Sequence, residues 1–396
     1  MKLHNLLVKA VEEALVDIFQ NHKKADKVIE RLLKSNPKWG SRDRAFIAET
    51  TYECVRWWRL YNHLAGERAS VLDCIGVHLV MKEKGNLEHH DFHQLSYNFL
   101  QKKYDATKER KILESITDDM DALGVSELGE EKWAKELAVL NTPARIVLRA
   151  NQLKINALDL KEKLMTIDCQ TETTPLSIDA LILKKRGNVF ATGFFKQGLF
   201  EVQDAGSQAI APFLQVEPGM RVIDACAGAG GKSLHLAALM KNKGTLIAMD
   251  TEAWKLEELR KRAKRNGVNI VETRVIDTTK VIKRQYDSAD RLLLDVPCSG
   301  MGVLRRNPDA KWKLTNQFFM DIRQTQADIL QNYARMVKKG GKMVYATCSI
   351  FPSENEAQVK AFLEKNDEWQ WVDERTLTPA TDGFDGFYMA LLERKA

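Results

Sequence analysis

Across about the last two hundred residues, short apolar runs alternate with helical stretches, and no other feature constrains the fold of this chain as strongly. Strands are predicted at residues 221–226, 245–250, 273–277, 291–297 and 342–348. Each is a short apolar run, as expected of strands buried on both faces. Helices between such strands lead to a doubly wound parallel sheet in an α/β domain.

Two other textures precede it. Residues 4 to about 130 carry helical spacing, seen in Leu6, Leu7, Val11, Ala14, Leu15 and Ile18 and again in Val28, Ile29, Leu32 and Leu33. Ser41 is a plausible N-cap for the helix running through Phe46, Ile47, Thr51, Tyr52 and Val55. A last helix is expected over 131–141, so residues 1–140 form an all-helical domain. From Pro143 the pattern switches to a small α+β module, 141–204, with strands at 145–149, 180–184 and 189–192 and a helix at 156–166. Residues 205–396 are the third domain.

A length of 396 residues suits two or three domains, and 44% hydrophobic with 29% charged residues excludes a wholly disordered chain. No run of about eighteen apolar residues is present. Met1-Lys2-Leu3-His4-Asn5 leads straight into a helical pattern without a signal peptide's apolar core, so a cytosolic, monomeric protein is expected. The six cysteines stand at 54, 74, 169, 226, 298 and 348 without a Cys-x-x-Cys pair, which argues against zinc and against a disulfide scaffold. A cysteine that matters here should matter as a thiolate. His89, His90 and His93 with Asp91 lack the spacing that converges four metal ligands, and no metal is expected. The net charge of +6 is compatible with a polyanionic partner. The basic residues cluster at Lys23, Lys24, Lys27, Arg31, Lys34, Lys38, Arg42 and Arg44 and again over 260–265.

The stretch Asp224-Ala225-Cys226-Ala227-Gly228-Ala229-Gly230-Gly231-Lys232-Ser233 follows the first strand and opens a helix. Glycines there permit a sharp turn and close approach of a ligand to helix N–H groups. Cys226 occupies the first glycine position of a phosphate loop, and the glycine spacing does not match a dinucleotide loop. S-adenosylmethionine, which carries no phosphate, fits better. Its amino-acid end would meet Cys226, Ala227, Gly228, Ala229, Gly230, Gly231 and Lys232. Asp250, twenty residues beyond Gly230, would take the ribose hydroxyls, and Asp277 would reach the adenine.

Asp295-Val296-Pro297-Cys298 and Thr347-Cys348-Ser349 close the fourth and fifth predicted strands, so two cysteines arrive at the sheet edge where open α/β folds bind ligands. Carbon 5 of cytosine becomes nucleophilic only after addition at carbon 6, and a thiolate adds best. An acid at the ring nitrogen would stabilise the adduct, and Asp295 is the candidate. His235, the single histidine of this half, is expected to be a packed or surface residue.

These stretches, with Val202-Gln203-Asp204, Arg305-Arg306-Asn307-Pro308-Asp309-Ala310-Lys311-Trp312 and Asp385-Gly386-Phe387-Tyr388-Met389-Ala390, resemble the Sun/Fmu/RsmB family of RNA cytosine-5 methyltransferases over about 200 residues. The resemblance implies a Rossmann-like class I methyltransferase domain using S-adenosyl-L-methionine. It implies Cys348 as nucleophile, Cys298 as an aid to product release, and Cys226 to Lys232, Asp250, Asp277 and Asp295 as cofactor contacts. Family members usually carry proline where Ala229 stands, which leads to the expectation of a softer loop. Ser41-Arg42-Asp43-Arg44-Ala45-Phe46 and Cys54-Val55-Arg56-Trp57-Trp58 more loosely resemble a NusB-like RNA-binding domain. The sequence ends at 396, so the further C-terminal RNA-binding domain of some relatives is expected to be absent. The resemblance implies ribosomal RNA as substrate, with transfer RNA open. A DNA cytosine methyltransferase, which needs no Thr-Cys at the fifth strand, and a non-catalytic RNA-binding factor are the rivals.

Overall fold

A computed structural model describes residues 3–396; Met1 and Lys2 of the N-terminal stretch read above lie outside the described residues. The chain forms two compact units, one made of residues up to Thr142 together with Leu304–Asn316, the other of Pro143–Val303 and Gln317–Ala396.

The first unit is helical. Helices Asn5–Phe19, Ala25–Ser35, Ser41–Arg56 and Val71–Lys82 bury Val11, Ala14, Leu15, Ile47, Val55 and Ile75 in one core, with Trp312 packed against it. The predicted N-cap moves by one residue. Ser41 is the first helical residue and Gly40 the cap, because the Asp43 carboxylate accepts the Gly40 N–H at 3.1 Å.

The second unit contains two sheets. The smaller is antiparallel, in the order β2-β3-β1-β4, built from β1 (Val147–Ala150), β2 (Thr171–Thr174), β3 (Ser177–Leu183) and β4 (Phe200–Val202). Residues Val189–Ala191 form a 3-10 turn where a strand was expected. Only Val189 of that run is buried, between the exposed Gly187-Asn188 pair and Phe190, so no face alternates inward.

The larger sheet has seven strands: β5 (Arg221–Asp224), β6 (Thr245–Asp250), β7 (Val271–Val275), β8 (Ala289–Asp295), β9 (Val337–Thr347), β10 (Trp369–Leu377) and β11 (Phe387–Arg394), in the order β10-β11-β9-β8-β5-β6-β7. Strands β5 to β9 are mutually parallel, as the alternation predicted. The last two add an antiparallel edge that the sequence reading did not anticipate. β11 is an apolar strand against β9, whereas the outermost, largely exposed β10 carries Asp373, Glu374 and Arg375, so its polarity hid it. The chain runs outward from β5 to β6 and β7, then restarts on the other side with β8 and β9. The switch point lies between β5 and β8, and ligand sites are expected beyond the carboxyl ends of the strands there.

Candidate active site

Read along that edge, the five parallel strands end in turn at Cys348, at Asp295 and Cys298, at the glycine loop, at Asp250, and near Asp277. The glycine loop is held at both sides. Ala225 N–H donates to Leu293 O on β8 (3.0 Å) and Ala227 N–H to Met249 O on β6 (2.9 Å). Gly228 and Gly230 have positive φ, +53° and +86°. A Cβ on Gly230 would stand 2.5 Å from Leu259 Cγ, so glycine is required there for packing as well as for conformation. A Cβ on Gly228 would meet nothing within 4 Å, so the loop borders open space at that point. Arg262 donates to Ala229 O at 2.7 Å and Arg149 to Gly231 O at 2.7 Å, pinning the loop from outside.

Asp250 is buried, and both of its oxygens already accept backbone N–H groups: Gly228 at 2.9 Å and Glu252 at 2.9 Å. Its remaining lone pairs are available to hydroxyl donors. Asp277 is exposed and lies two residues past the end of β7, not at the strand end as expected. It rims a cleft walled by Ile276, Ile282, Ile329 and Tyr333. Tyr333, which the sequence reading missed, has its pKa pushed up to about 12, chiefly by burial, with Cys226 and Asp250 adding to the rise. Burial, reinforced by Asp224, Asp295 and Asp250, holds the Cys226 thiol well above its ordinary value, which marks it as an unreactive wall of the loop.

Lys232 Nζ contacts Asp295 Oδ2 at 2.6 Å. Burial pulls the Lys232 ammonium down, but Asp295 more than offsets this, with Cys348 and Asp224 adding to the rise. The two cysteines meet beyond β8 and β9. These strands pair in register, Asp295 beside Ala346, so the residues just past their ends fall side by side. Their sulfurs are 3.1 Å apart, and Cys348 N–H donates to Cys298 Sγ at 3.3 Å. The hydrogen bond to Cys348, then burial, then the charges of Cys348 and Glu354 raise Cys298 well above the ordinary thiol value. Either sulfur can donate in the contact between them.

Other motifs turn out to be stitching. Gly302 N–H donates to Cys348 O (2.9 Å), and Gly386 N–H donates to Gly302 O (2.8 Å). Asp204 Oδ1 accepts the N–H groups of Gly206 (2.8 Å) and Asp385 (3.2 Å). The Arg305–Trp312 stretch belongs to the helical unit. There Lys311 is buried among the backbone oxygens of Arg56 (3.1 Å), Glu114 and Ser115 (both 3.3 Å) and the side-chain oxygen of Asn141. Burial, with Arg56 nearby, pulls its pKa down to about 7. His235 is buried 3.3 Å from Asp179, and burial lowers its pKa to about 4. In the helical unit the ligand atoms of His89, His90 and Asp91 lie within 4.8 Å of one another, closer than their spacing suggested. Part of the basic character is spent internally. Arg262 and Arg265 hold buried Glu201, Lys23 and Arg31 pair with Asp17, and Lys27 and Lys34 pair with Glu30. No helix among the described residues is long and apolar enough to cross a membrane.

Residues 211–393 match the family model described as 16S rRNA methyltransferase RsmB/F, and residues 125–190 match its ferredoxin-like domain. The chain belongs to the RsmB/F methyltransferase family. It is 33% identical over 291 residues to a protein of Synechocystis named probable ribosomal RNA small subunit methyltransferase B, covering 68% of this chain and 65% of that one. A Bacillus subtilis protein of the same name is 35% identical over 229 residues, 58% of this chain and 51% of that one. The match thus spans about half to two thirds of these relatives' own length. Among solved structures, PH0851 superposes over 100% of both chains with a TM-score of 0.83 at 22% identity. NSun6 from Pyrococcus horikoshii with SFG, an analogue of S-adenosylmethionine, covers 72% of this chain and 100% of that one, with a TM-score of 0.66 at 20% identity. A methyltransferase homologue from the same organism is 25% identical, with a TM-score of 0.64 over 72% of this chain and 97% of that one.

Proposed function

We propose that this protein methylates carbon 5 of a cytosine in RNA, ribosomal RNA by analogy with its relatives' names, with S-adenosylmethionine as methyl donor and Cys348 as nucleophile. The observation that carries the reading is the pair of sulfurs 3.1 Å apart at the edge that also bears the glycine loop. The residues present suit that donor. Open space beside Gly228, a carboxylate with spare lone pairs at Asp250, and a cleft of mixed lining that Asp277 rims and Ile276, Ile282 and Ile329 wall match an amino-acid tail, a ribose and a purine. Bound there, the donor supplies an electrophilic methyl group on a sulfonium.

The chain's own groups do the rest. Cys348 adds to carbon 6, with Lys232 supplying a nearby positive charge and Asp295 facing the ring nitrogen. Carbon 5, now enamine-like, takes the methyl group. Solvent water then takes the carbon 5 proton as the bond between carbon 6 and Cys348 breaks, and Cys298, whose sulfur lies 3.1 Å from that of Cys348, hydrogen-bonds the departing thiolate. The helical unit, through its lysine and arginine cluster from Lys23 to Arg44, is assigned to RNA phosphate contacts, in the manner of a NusB-like domain.

Denaturing gels with RNA substrate test the assignment. Cys298→Ala should methylate once and remain covalently attached to RNA, while Cys348→Ala and the double variant should give no such band. A band with Cys348→Ala that disappears with Cys298→Ala would reverse the roles. No band with either would remove the two-cysteine mechanism. Bisulfite sequencing of total RNA with and without the protein identifies the cytosine.

A further inference from the structure

Glu354 lies in the short 3-10 turn Pro352–Glu354, after the Thr-Cys-Ser stretch, and is fully buried. Its carboxylate accepts four hydrogen bonds. One oxygen takes the hydroxyls of Ser299 and Ser349 (2.6 Å for Ser349), and the other takes Ser299 N–H at 2.8 Å and Gln326 Nε2 at 3.0 Å. Ser299 follows Cys298 and Ser349 follows Cys348, so one side chain grips the neighbour of each cysteine. Asn355 adds a second grip on one side: its Oδ1 accepts the Thr347 hydroxyl at 2.5 Å and its Nδ2 donates to Ser349 O at 3.1 Å. Tyr345 holds Glu354 O at 2.7 Å, fixing the turn to β9.

The regular ladder between β8 and β9 ends at Asp295 and Ala346. Past it the two loops are joined directly by Val296 N–H to Ala346 O, Gly302 N–H to Cys348 O and Cys348 N–H to Cys298 Sγ. To these Glu354 adds the side-chain bridge between the residues that follow each cysteine. A buried carboxylate with every acceptor site filled is a stiff connector, because losing any one donor leaves a desolvated lone pair. We infer that Glu354 is a positioning residue that sets the distance between the Cys298 and Cys348 sulfurs. The inference rests on the two-cysteine reading above for its catalytic meaning, but the distance itself is measurable without any RNA.

Replacement by glutamine preserves the grip. The amide oxygen can take the two N–H donors, and its NH₂ can donate to the two serine hydroxyls once they rotate. Alanine removes all four bonds.

The test uses full-length protein treated with diamide, with the Cys298–Cys348 disulfide followed by mass spectrometry after alkylation. Two thiols lose two protons and two electrons, and diamide is reduced to the hydrazine. Native protein and Glu354→Gln should oxidise at rates within about threefold, and Glu354→Ala about tenfold or more slowly, in line with the loss of a charged hydrogen-bond network. Methyl transfer should follow the same order in kcat, with cofactor affinity within about twofold throughout, a split that general destabilisation would not give. If Glu354→Ala binds cofactor normally and oxidises at the native rate, the inference is overturned. Should Glu354→Ala fail to fold, Ser299→Ala/Ser349→Ala, which removes both hydroxyl tethers and with them the whole link from Glu354 to Ser349, must show the slowed oxidation, and a native rate there overturns it equally. Retained methyl transfer in Cys348→Ala would instead defeat the catalytic reading while leaving the disulfide rates to judge Glu354.

Discussion

Replacing Asp250 with alanine should cost stability and cofactor affinity at once, because the carboxylate serves the protein before it serves a ligand. Its two oxygens accept Gly228 N–H and Glu252 N–H, each at 2.9 Å. A hydrogen bond to a charged group is worth about 1.5–3 kcal/mol. Gly228 borders open space, so water can replace the acceptor there, whereas Glu252 N–H, just before the helix Ala253–Asn266, loses the acceptor that fixes its turn. A net loss of about 2–4 kcal/mol is reasonable, which in a unit of this size lowers the melting temperature by roughly 5–12 °C. Two ribose hydroxyls donating to the same oxygens would add a loss of about ten- to a hundredfold or more in affinity. Asparagine is not a silent substitute, since its NH₂ would face one of the two N–H groups. Ligand-free melting curves and calorimetric titration with S-adenosylmethionine separate the two effects, and turnover at saturating cofactor should fall less than affinity. An alanine variant melting within about 1 °C of native, with affinity within about twofold, would refute both roles.

Asp224 is buried, and burial raises its pKa to about 7 although Ser233 donates to it at 2.6 Å. The folded state thus binds a proton more tightly than the unfolded one. The stability contributed is fully present below about pH 4 and is lost as pH rises to about 7, at up to about 1.4 kcal/mol per pH unit. Asp224→Asn should flatten that part of the denaturant-derived stability profile, and an unchanged slope would discount the shift. Ala229 has no positive φ, its backbone N–H finds no acceptor among the described residues, and its carbonyl accepts from Arg262. Ala229→Pro should therefore stabilise by about 0.4–1 kcal/mol in denaturant titration, and destabilisation would show the loop's φ to be unsuited to proline. Removing residues 1–142 should leave Leu304–Asn316 without its core and give a product that aggregates, whereas the same deletion with that segment replaced by a short polar linker should bind cofactor. Equal solubility of the two truncations, judged by gel filtration, would contradict this.

The parallel part of the large sheet was legible because its inner strands are largely apolar on both faces, and the site was legible because its chemistry sits at the ends of those strands. What the sequence could not show depends on contacts between distant residues. Glu354 looks like one surface acid among many until Ser299 and Ser349 are seen to converge on it. Lys311 looks like a basic motif residue until four oxygens surround it. Much of the basic charge over 260–265 looked available for a polyanion, yet Arg262 and Arg265 are engaged with Glu201, a partner some sixty residues away. β10 was missed because a polar edge strand lacks the continuous apolar signal that its inner neighbours carry.

The segment Leu304–Asn316 also sets an order of events during synthesis. The first 142 residues leave the ribosome long before Lys311 and Trp312 exist, and residue 316 follows residue 142 by 174 positions. At roughly 5–20 residues per second the helical unit waits about 10–35 seconds for the piece that completes its core. Through that interval Val55 O has no Trp312 indole and the oxygens of Arg56 and Ser115 have no ammonium, so the N-terminal unit finishes folding only after most of the strands of its successor have emerged.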